Sequence, residues 1–348
     1  LLFKIWKMKK IIVTGGSGFI GTNLVNFLIK KNFFVINIDK LTYSSNKLKV
    51  NFRNKRNYKF YKLDINNKKR LIQIIKQYKP KAIFNLAAET HVDRSIDNPK
   101  TFIDTNIYGT YNLLESLRLL KKQKINIKLI HVSTDEVYGD IEKSLRSDEE
   151  FKYKPSSPYA ASKASADHFV NSYIRTYGIK AVISNCCNNY GPYQYPEKLI
   201  PKMISNIIFN RELPIYAKGL NSREWIYVDD HCQALFTLYL KGKPGESYNV
   251  GSGKNIKNIE LVKKILKICK SMNIKKGNKV KVKFVEDRPG HDLRYALNNN
   301  KISKKLKWKT KLSFEIGLRK TIYWYLENKF FLKKLSTKNY SKRLGLKV

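Results

Sequence analysis

A glycine cluster set between a short apolar strand and a helix constrains this chain more than any other feature. Residues 9–15 read as a buried strand. Gly15-Gly16-Ser17-Gly18-Phe19-Ile20-Gly21 follows at once and opens a helix that runs to about residue 31. Gly15, Gly18 and Gly21 form a G-x-x-G-x-x-G pattern. Small residues at that spacing let the backbone turn sharply and approach a pyrophosphate at a helix N-terminus. A glycine cluster alone also serves an ordinary tight turn. Its place between strand and helix makes it a dinucleotide loop.

The rhythm downstream agrees with that reading. Short apolar strands at 33–39, 58–64, 81–88, 128–135 and 179–185 alternate with helical stretches ending near Tyr78, spanning about 99–122, and running from Pro158 to Tyr177. Such alternation predicts an α/β fold, a parallel sheet covered on both faces with right-handed crossovers. After Asn185 the pattern changes. Residues 188–198 are rich in Pro, Tyr and Asn and read as a loop. Short strands at 213–217, 224–228, 247–251 and 281–287 then imply a smaller C-terminal α/β lobe, with some segments returning to the main sheet. We therefore expect a cofactor-binding domain over 8–185 that also carries the catalytic residues, a mainly substrate-binding lobe over 186–328, and a loosely ordered basic tail over 329–348. A ligand belongs at the carboxyl ends of the strands, between the lobes.

Bulk properties narrow the setting. The 348 residues suffice for a large core, and no run of about 20 apolar residues predicts a membrane span. Met8, directly before the first strand, reads as the natural start. The apolar stretch ahead of it is too short for a secretory signal. Cys186, Cys187, Cys232 and Cys269 contain no C-x-x-C pair and read as reduced thiols of a cytoplasmic protein. No metal-ligand spacing occurs, so no metal is expected. The net charge of +42 could mark a nucleic-acid binder. The lysines are spread along the whole chain, however, which fits a solvated surface better than a binding patch, so no nucleic-acid partner is expected. A positive field would still draw in a diphosphate.

Two constellations carry chemistry. Asp39 ends the second strand 18 residues after Gly21. A carboxylate there accepts from ribose hydroxyls and repels a 2′-phosphate, which predicts NAD over NADP, although the neighbouring Lys40 would tolerate a phosphate. Asp64-Ile65 and Leu86-Ala87-Ala88 close further strands and are as readily ordinary strand ends as cofactor contacts. Tyr159 and Lys163 stand at i and i+4 on one helix face. A nearby ammonium stabilises tyrosinate, so Lys163 should lower the Tyr159 pKa and make it a base, and Lys163 can also hold the nicotinamide ribose. Thr134 ends an earlier strand, and Asp135-Glu136 follow it. An isolated acidic pair is usually a solvated turn. Adjacent acids facing one site repel when both are charged, which separates their pKa values. That suits an elimination, in which one group donates a proton and the other accepts one.

These residues resemble the extended short-chain dehydrogenase/reductase family over about residues 9–328. That resemblance implies a Rossmann-type doubly wound parallel sheet, NAD as cofactor and a Thr134/Tyr159/Lys163 catalytic set. Within the family, Thr134-Asp135-Glu136-Val137-Tyr138-Gly139-Asp140 is similar to the dTDP-glucose 4,6-dehydratases. The strings 87–95, 188–192, 196–201 and 287–292 agree. Thr90 stands where that group usually has Ser, and the segment between Gly139 and Pro155 is shorter. The resemblance implies that Tyr159 takes the C4 hydroxyl proton, Glu136 the C5 proton, and Asp135 protonates the departing C6 hydroxyl. It implies cofactor contacts at Gly15, Gly18, Phe19, Ile20, Gly21, Asp39, Lys40, Leu41, Thr42, Asp64, Ile65, Leu86, Ala87, Ala88, Thr105, Tyr159, Lys163 and Asn189. For a nucleotide-sugar substrate it implies Thr90, Thr134, Asn188, Lys198, Leu199, Pro214, Ile215, Tyr216, Arg223, Asn258, Asp287, Arg288, Pro289, Gly290 and His291. Lys198, Arg223 and Arg288 suit a diphosphate, whereas Leu199 and Pro214 are better placed to shape a pocket. A homodimer pairing the helices near 99–122 and 158–177 is also implied. A dehydratase for another nucleotide sugar, such as UDP-glucose, and an epimerase on the same scaffold are the nearest alternatives.

Overall fold

The computed structural model describes residues 8–46, 56–274, 280–335 and 344–345. Seven strands form the main sheet. They are β1 (Lys10–Thr14), β2 (Phe34–Asp39), β3 (Tyr58–Lys62), β4 (Ala82–Asn85), β5 (Lys128–Thr134), β6 (Ala181–Cys186) and, far along the chain, β10 (Ser247–Val250). Their order is β10-β6-β5-β4-β1-β2-β3, and every pairing is parallel. The strands are short, rich in Ile and Val, and mostly buried, as expected of a sheet covered on both faces. The chain order reverses between β1 and β4. Carboxyl ends of strands at such a point leave a crevice for a ligand, and Thr14, Asp39, Asn85 and Thr134 line this one.

The helix Pro158–Tyr177 shows how local chemistry sets an element. Ser157 accepts a hydrogen bond from the Ala160 amide, Pro158 occupies the first turn, and Gly178 ends the helix in the left-handed region. The helical stretch at 99–122 is less regular than expected. Pro99–Phe102 leads into a π-helical segment, Ile103–Tyr108, before Gly109–Lys122. The wider turn aims buried Thr105 and Asn106 inward. Asn106 Nδ2 donates to the Glu89 carbonyl and to Ser162 Oγ.

The remaining strands are β7 (Asn188–Tyr190), β8 (Leu213–Tyr216), β9 (Ser222–Tyr227), β11 (Asn255–Lys257) and β12 (Val282–Val285). They make a β11-β9-β7 sheet and a β12-β8 pair. One apolar cluster fills the space around β1, β5, β6 and β10 and takes in residues of the helix Val228–Lys241. A second lies under the helices Leu199–Ile208, Asn258–Ser271 and Phe314–Glu327.

Two expectations are corrected here. Residues 188–190 are not loop. Tyr190 is fully buried against Tyr227 and Phe314, and its hydroxyl donates to the Phe314 carbonyl, so packing overrides the polar composition. Nor is the tail loose from residue 329. Lys329–Leu335 is helical, because Phe331 and Leu332 interrupt the basic run and pack into the second cluster. Lys338, Lys342, Arg343 and Lys347 lie outside the described residues, as do residues 1–7. Among the described residues no helix is long and apolar enough to cross a membrane.

Candidate active site

The dinucleotide loop is shaped by close approach. Gly15 has φ +67°, and a Cβ there would meet the Leu86 and Ala87 backbone at 2.7 Å. A Cβ on Gly21 would meet the Gly15 carbonyl oxygen at 2.1 Å. Gly18 caps the helix Phe19–Lys30, whose Phe19 and Ile20 pack on the main cluster. Only glycine leaves room at these points, and the cradle so formed ends at free helical N–H groups, a fit for a pyrophosphate.

The other predicted cofactor residues ring this loop. Asp39 ends β2 with Oδ2 accepting from the Ser17 amide at 2.9 Å and Oδ1 from the Leu41 amide at 2.7 Å. Ser45 Oγ also donates to Oδ1, at 3.3 Å, so Oδ2 is the oxygen that keeps a further lone pair for a ribose hydroxyl. Thr42 Oγ1 lies 3.4 Å from Ser44 Oγ beside it. Lys40 turns toward Thr105 Oγ1, at 3.0 Å, and Asp64 Oδ2, at 3.6 Å, which joins three predicted residues. Ile65 is buried against Gly109. Leu86 and Ala87 hydrogen-bond Thr14, and Ala88 follows them. Asn189 is held farther along the crevice by the Cys187 carbonyl and His231 Nδ1.

At the end of β5 the backbone turns into a 3-10 helix, Asp135–Tyr138. Thr134 Oγ1 accepts from the Glu136 amide and donates to Asp135 Oδ1 at 3.2 Å. Burial raises the Asp135 carboxyl well above the usual carboxylate range, reinforced by the charges of Glu136 and Glu224. Burial also raises Glu136, but Arg288, Lys198 and Arg223 oppose it there. The pair is therefore polarised, with Asp135 the more strongly held acid. The effect on Tyr159 runs opposite to the expectation. Burial, then the Glu136 charge, pushes its phenol well above its ordinary value, and the Thr134 hydroxyl pulls it only partly back. Lys163 does not offset this, since its ammonium donates to the Val132 carbonyl at 2.8 Å and burial lowers its own proton affinity.

The second lobe brings its cations to the same place. Lys198 Nζ donates to the Thr90 carbonyl at 2.6 Å, and Lys198 stands at the N-cap position of the helix that Leu199 begins. Arg288 Nη1 meets Asp93 Oδ1, and Tyr216 OH donates to Asp93 Oδ2 at 2.7 Å. Pro214 and buried Ile215 back Tyr216 on β8. Arg223 stacks on Tyr295 and donates to the Ser222, Asp292 and Leu293 carbonyls. These bonds engage both terminal nitrogens of Arg223, so it is less free for a diphosphate than Lys198 or Arg288. In the segment Asp287-Arg288-Pro289-Gly290-His291, Asp287 Oδ1 lies 2.6 Å from His291 Nδ1, and Gly290 abuts the Ser156 carbonyl. Asp135 Oδ2, Asn188 Oδ1, Asn258 Oδ1 and Arg288 Nε are buried without a protein partner. Buried polar atoms are rarely left so, and these four belong to residues expected to meet the substrate, which fits a polar ligand.

Several participants were not singled out from the sequence. Asp93 holds Arg288 and Tyr216. Glu197 accepts from Tyr43 OH at 2.8 Å and Arg94 Nε at 3.2 Å. Asp93, Arg94 and Glu197 lie inside the strings that carried the resemblance, so the signal was present without a role attached.

Comparison with known proteins gives the family. The GDP-mannose 4,6 dehydratase family description matches residues 12–321. The chain belongs to that family. It is 45% identical over 345 residues to a probable dTDP-glucose 4,6-dehydratase of Sinorhizobium fredii, covering 97% of this chain and 99% of that one. The crystal structure of dTDP-glucose 4,6-dehydratase from Bacillus anthracis in complex with NAD superposes with a TM-score of 0.84 at 41% identity, covering 94% of this chain and 100% of that one. A dTDP-glucose 4,6-dehydratase from Streptomyces venezuelae with NAD bound gives 0.86 at 38%, with the same coverage.

Proposed function

We propose that this chain is an NAD-dependent hydro-lyase that converts dTDP-glucose to dTDP-4-keto-6-deoxyglucose. The observation that carries the reading is the polarised Asp135–Glu136 pair beside Tyr159. An epimerase or simple dehydrogenase needs no such pair. Gly15, Gly18, Gly21 and Asp39 would hold NAD. When bound, NAD accepts the C4 hydride and later returns it to C6, so turnover consumes none.

The chain's own groups manage the protons. Tyr159 takes the proton of the C4 hydroxyl on its phenolate oxygen. Burial favours the neutral phenol, so a positive charge arriving beside it favours the phenolate that this transfer needs. The 4-keto group acidifies C5–H, and the Glu136 carboxylate removes that proton. Asp135, whose carboxyl burial raises well above the usual carboxylate range, donates to the leaving C6 hydroxyl. Lys198 and Arg288 hold the diphosphate and, with Arg223, oppose the rise that burial imposes on Glu136. Thr90, Asn188 and Asn258 supply polar contacts to the nucleotide sugar.

The same reading divides the chain into a cofactor domain over 8–185 and a mainly substrate lobe over 186–328. The buried free thiols support a cytoplasmic enzyme. Exposed Ile103, Tyr108, Phe169 and Tyr177 on the helical stretches at 99–122 and 158–177 support a homodimer through that face. Light scattering that gives a monomer rejects it. Turnover with dTDP-, UDP- and CDP-glucose side by side tests the substrate. The 4-keto-6-deoxy product should form fastest from dTDP-glucose. Product from UDP-glucose alone, or a C4 epimer, overturns the reading.

A further inference from the structure

Beneath Tyr159 and Lys163 runs a buried polar chain that no step above uses. Thr14 Oγ1 donates to Asn85 Oδ1 at 2.6 Å, and Asn85 Nδ2 lies 3.1 Å from His131 Nδ1. His131 Nε2 lies 3.3 Å from Asp167 Oδ1, a close contact without hydrogen-bond alignment. The other oxygen of Asp167 accepts from Ser133 Oγ at 2.6 Å, Tyr153 OH at 3.1 Å and Asn185 Nδ2 at 3.4 Å. With the Asn85 amide donating, His131 Nδ1 is the acceptor. Its proton then sits on Nε2 and faces the carboxylate. Ser133, Tyr153 and Asn185 thus all present donors to the Asp167 carboxyl. Both Asp167 and His131 are fully buried.

A buried anion needs a counter-charge, and a buried ammonium needs an anion. Lys163 stands one helical turn before Asp167 on the same helix and is itself buried. The titratable groups that face Lys163 come from three elements. Cys186 on β6 is pushed up to about 12 by burial and stays a thiol. His131 on β5 is kept neutral by burial. Tyr159, on the same helix, is held as a phenol. Of these four groups, Asp167 alone is a carboxylate.

We propose that Asp167 is a positioning residue for the reaction: it is the buried counter-charge that keeps the Lys163 ammonium against the Val132 carbonyl, locked in place by Ser133, Tyr153, Asn185 and the Thr14–Asn85–His131 chain. The proposal rests on the reading of Tyr159 and Lys163 as the chemical pair. It adds a dependence that the pair alone does not contain. Without Asp167, burial strips the proton from Lys163 at lower pH, and the ammonium beside Tyr159 is lost with it.

Asp167→Asn keeps the shape and removes the charge. The alkaline limb of its kcat–pH profile should move down by about one pH unit or more. Asp167→Glu should restore part of that shift. An unmoved limb, even with a lower kcat, overturns the proposal, because a merely structural loss falls equally at every pH. A stability cycle with Lys163→Met needs no turnover, so it separates failure of this proposal from failure of the proposed activity. Asp167→Asn should destabilise the Lys163→Met background less than the wild type. Equal destabilisation in both backgrounds overturns the pairing. Should Asp167→Asn alone not fold, the charge-neutral double variant decides. Recovery of folding supports the pairing and failure to recover overturns it.

Discussion

Asp135 and Glu136 share a backbone turn but not an environment. Asp135 is buried with an unpartnered oxygen, whereas Glu136 looks toward Arg288, Lys198 and Arg223. Replacing Asp135 with Asn should lower kcat by about 10²- to 10⁴-fold, since a positioned acid contributes that much. It should also alter stability in a defined direction. A carboxyl whose folded pKa is raised contributes stability below its unfolded pKa that is lost as pH rises through the folded value. Asp135→Asn removes that loss. Its melting temperature should therefore fall less than that of the wild type as pH rises from about 4 to neutral, as followed by calorimetry. The acidic pair was legible in its place after Thr134, whereas its division into an acid and a base came from the family resemblance. The raised Tyr159 phenol was not legible, because it depends on burial and on the Glu136 charge, while Lys163 turns to a β5 carbonyl 31 residues away in sequence.

At the scale of elements, the strand–loop–helix unit from β1 was readable throughout, since glycine spacing and apolar runs are local signals. Gly15→Ala should strain the backbone at φ +67° and collide with Ala87, at a cost of at least about 1–2 kcal/mol. Purified Gly15→Ala should also carry less NAD than the wild type, measured by absorbance after acid release. Retention of a full complement would contradict the cradle. The strand β7 and the helix Lys329–Leu335 escaped a local reading, because both are held by partners distant in sequence. Leu332→Ala should cost about 2–5 kcal/mol in denaturant unfolding, the usual range for a fully buried leucine. The π-helical turn at Ile103–Tyr108 has no sequence signal that we recognise. It is explained by the buried bonds of Asn106.

On the scale of the whole molecule, a parallel sheet supplies one wall of the crevice and the second lobe supplies the cations. The overall charge of +42 sits over a site expected to take a diphosphate. Raising ionic strength should lower kcat/KM for the nucleotide sugar while leaving kcat nearly unchanged. A flat kcat/KM would mean that the field plays no part in capture. The central claim concerns proton removal at C5, and solvent exchange reports it directly. Wild-type enzyme in deuterated water should incorporate deuterium at C5 of the product. Glu136→Gln should still form NADH from dTDP-glucose but show no exchange at C5. Exchange that persists in Glu136→Gln would contradict the account.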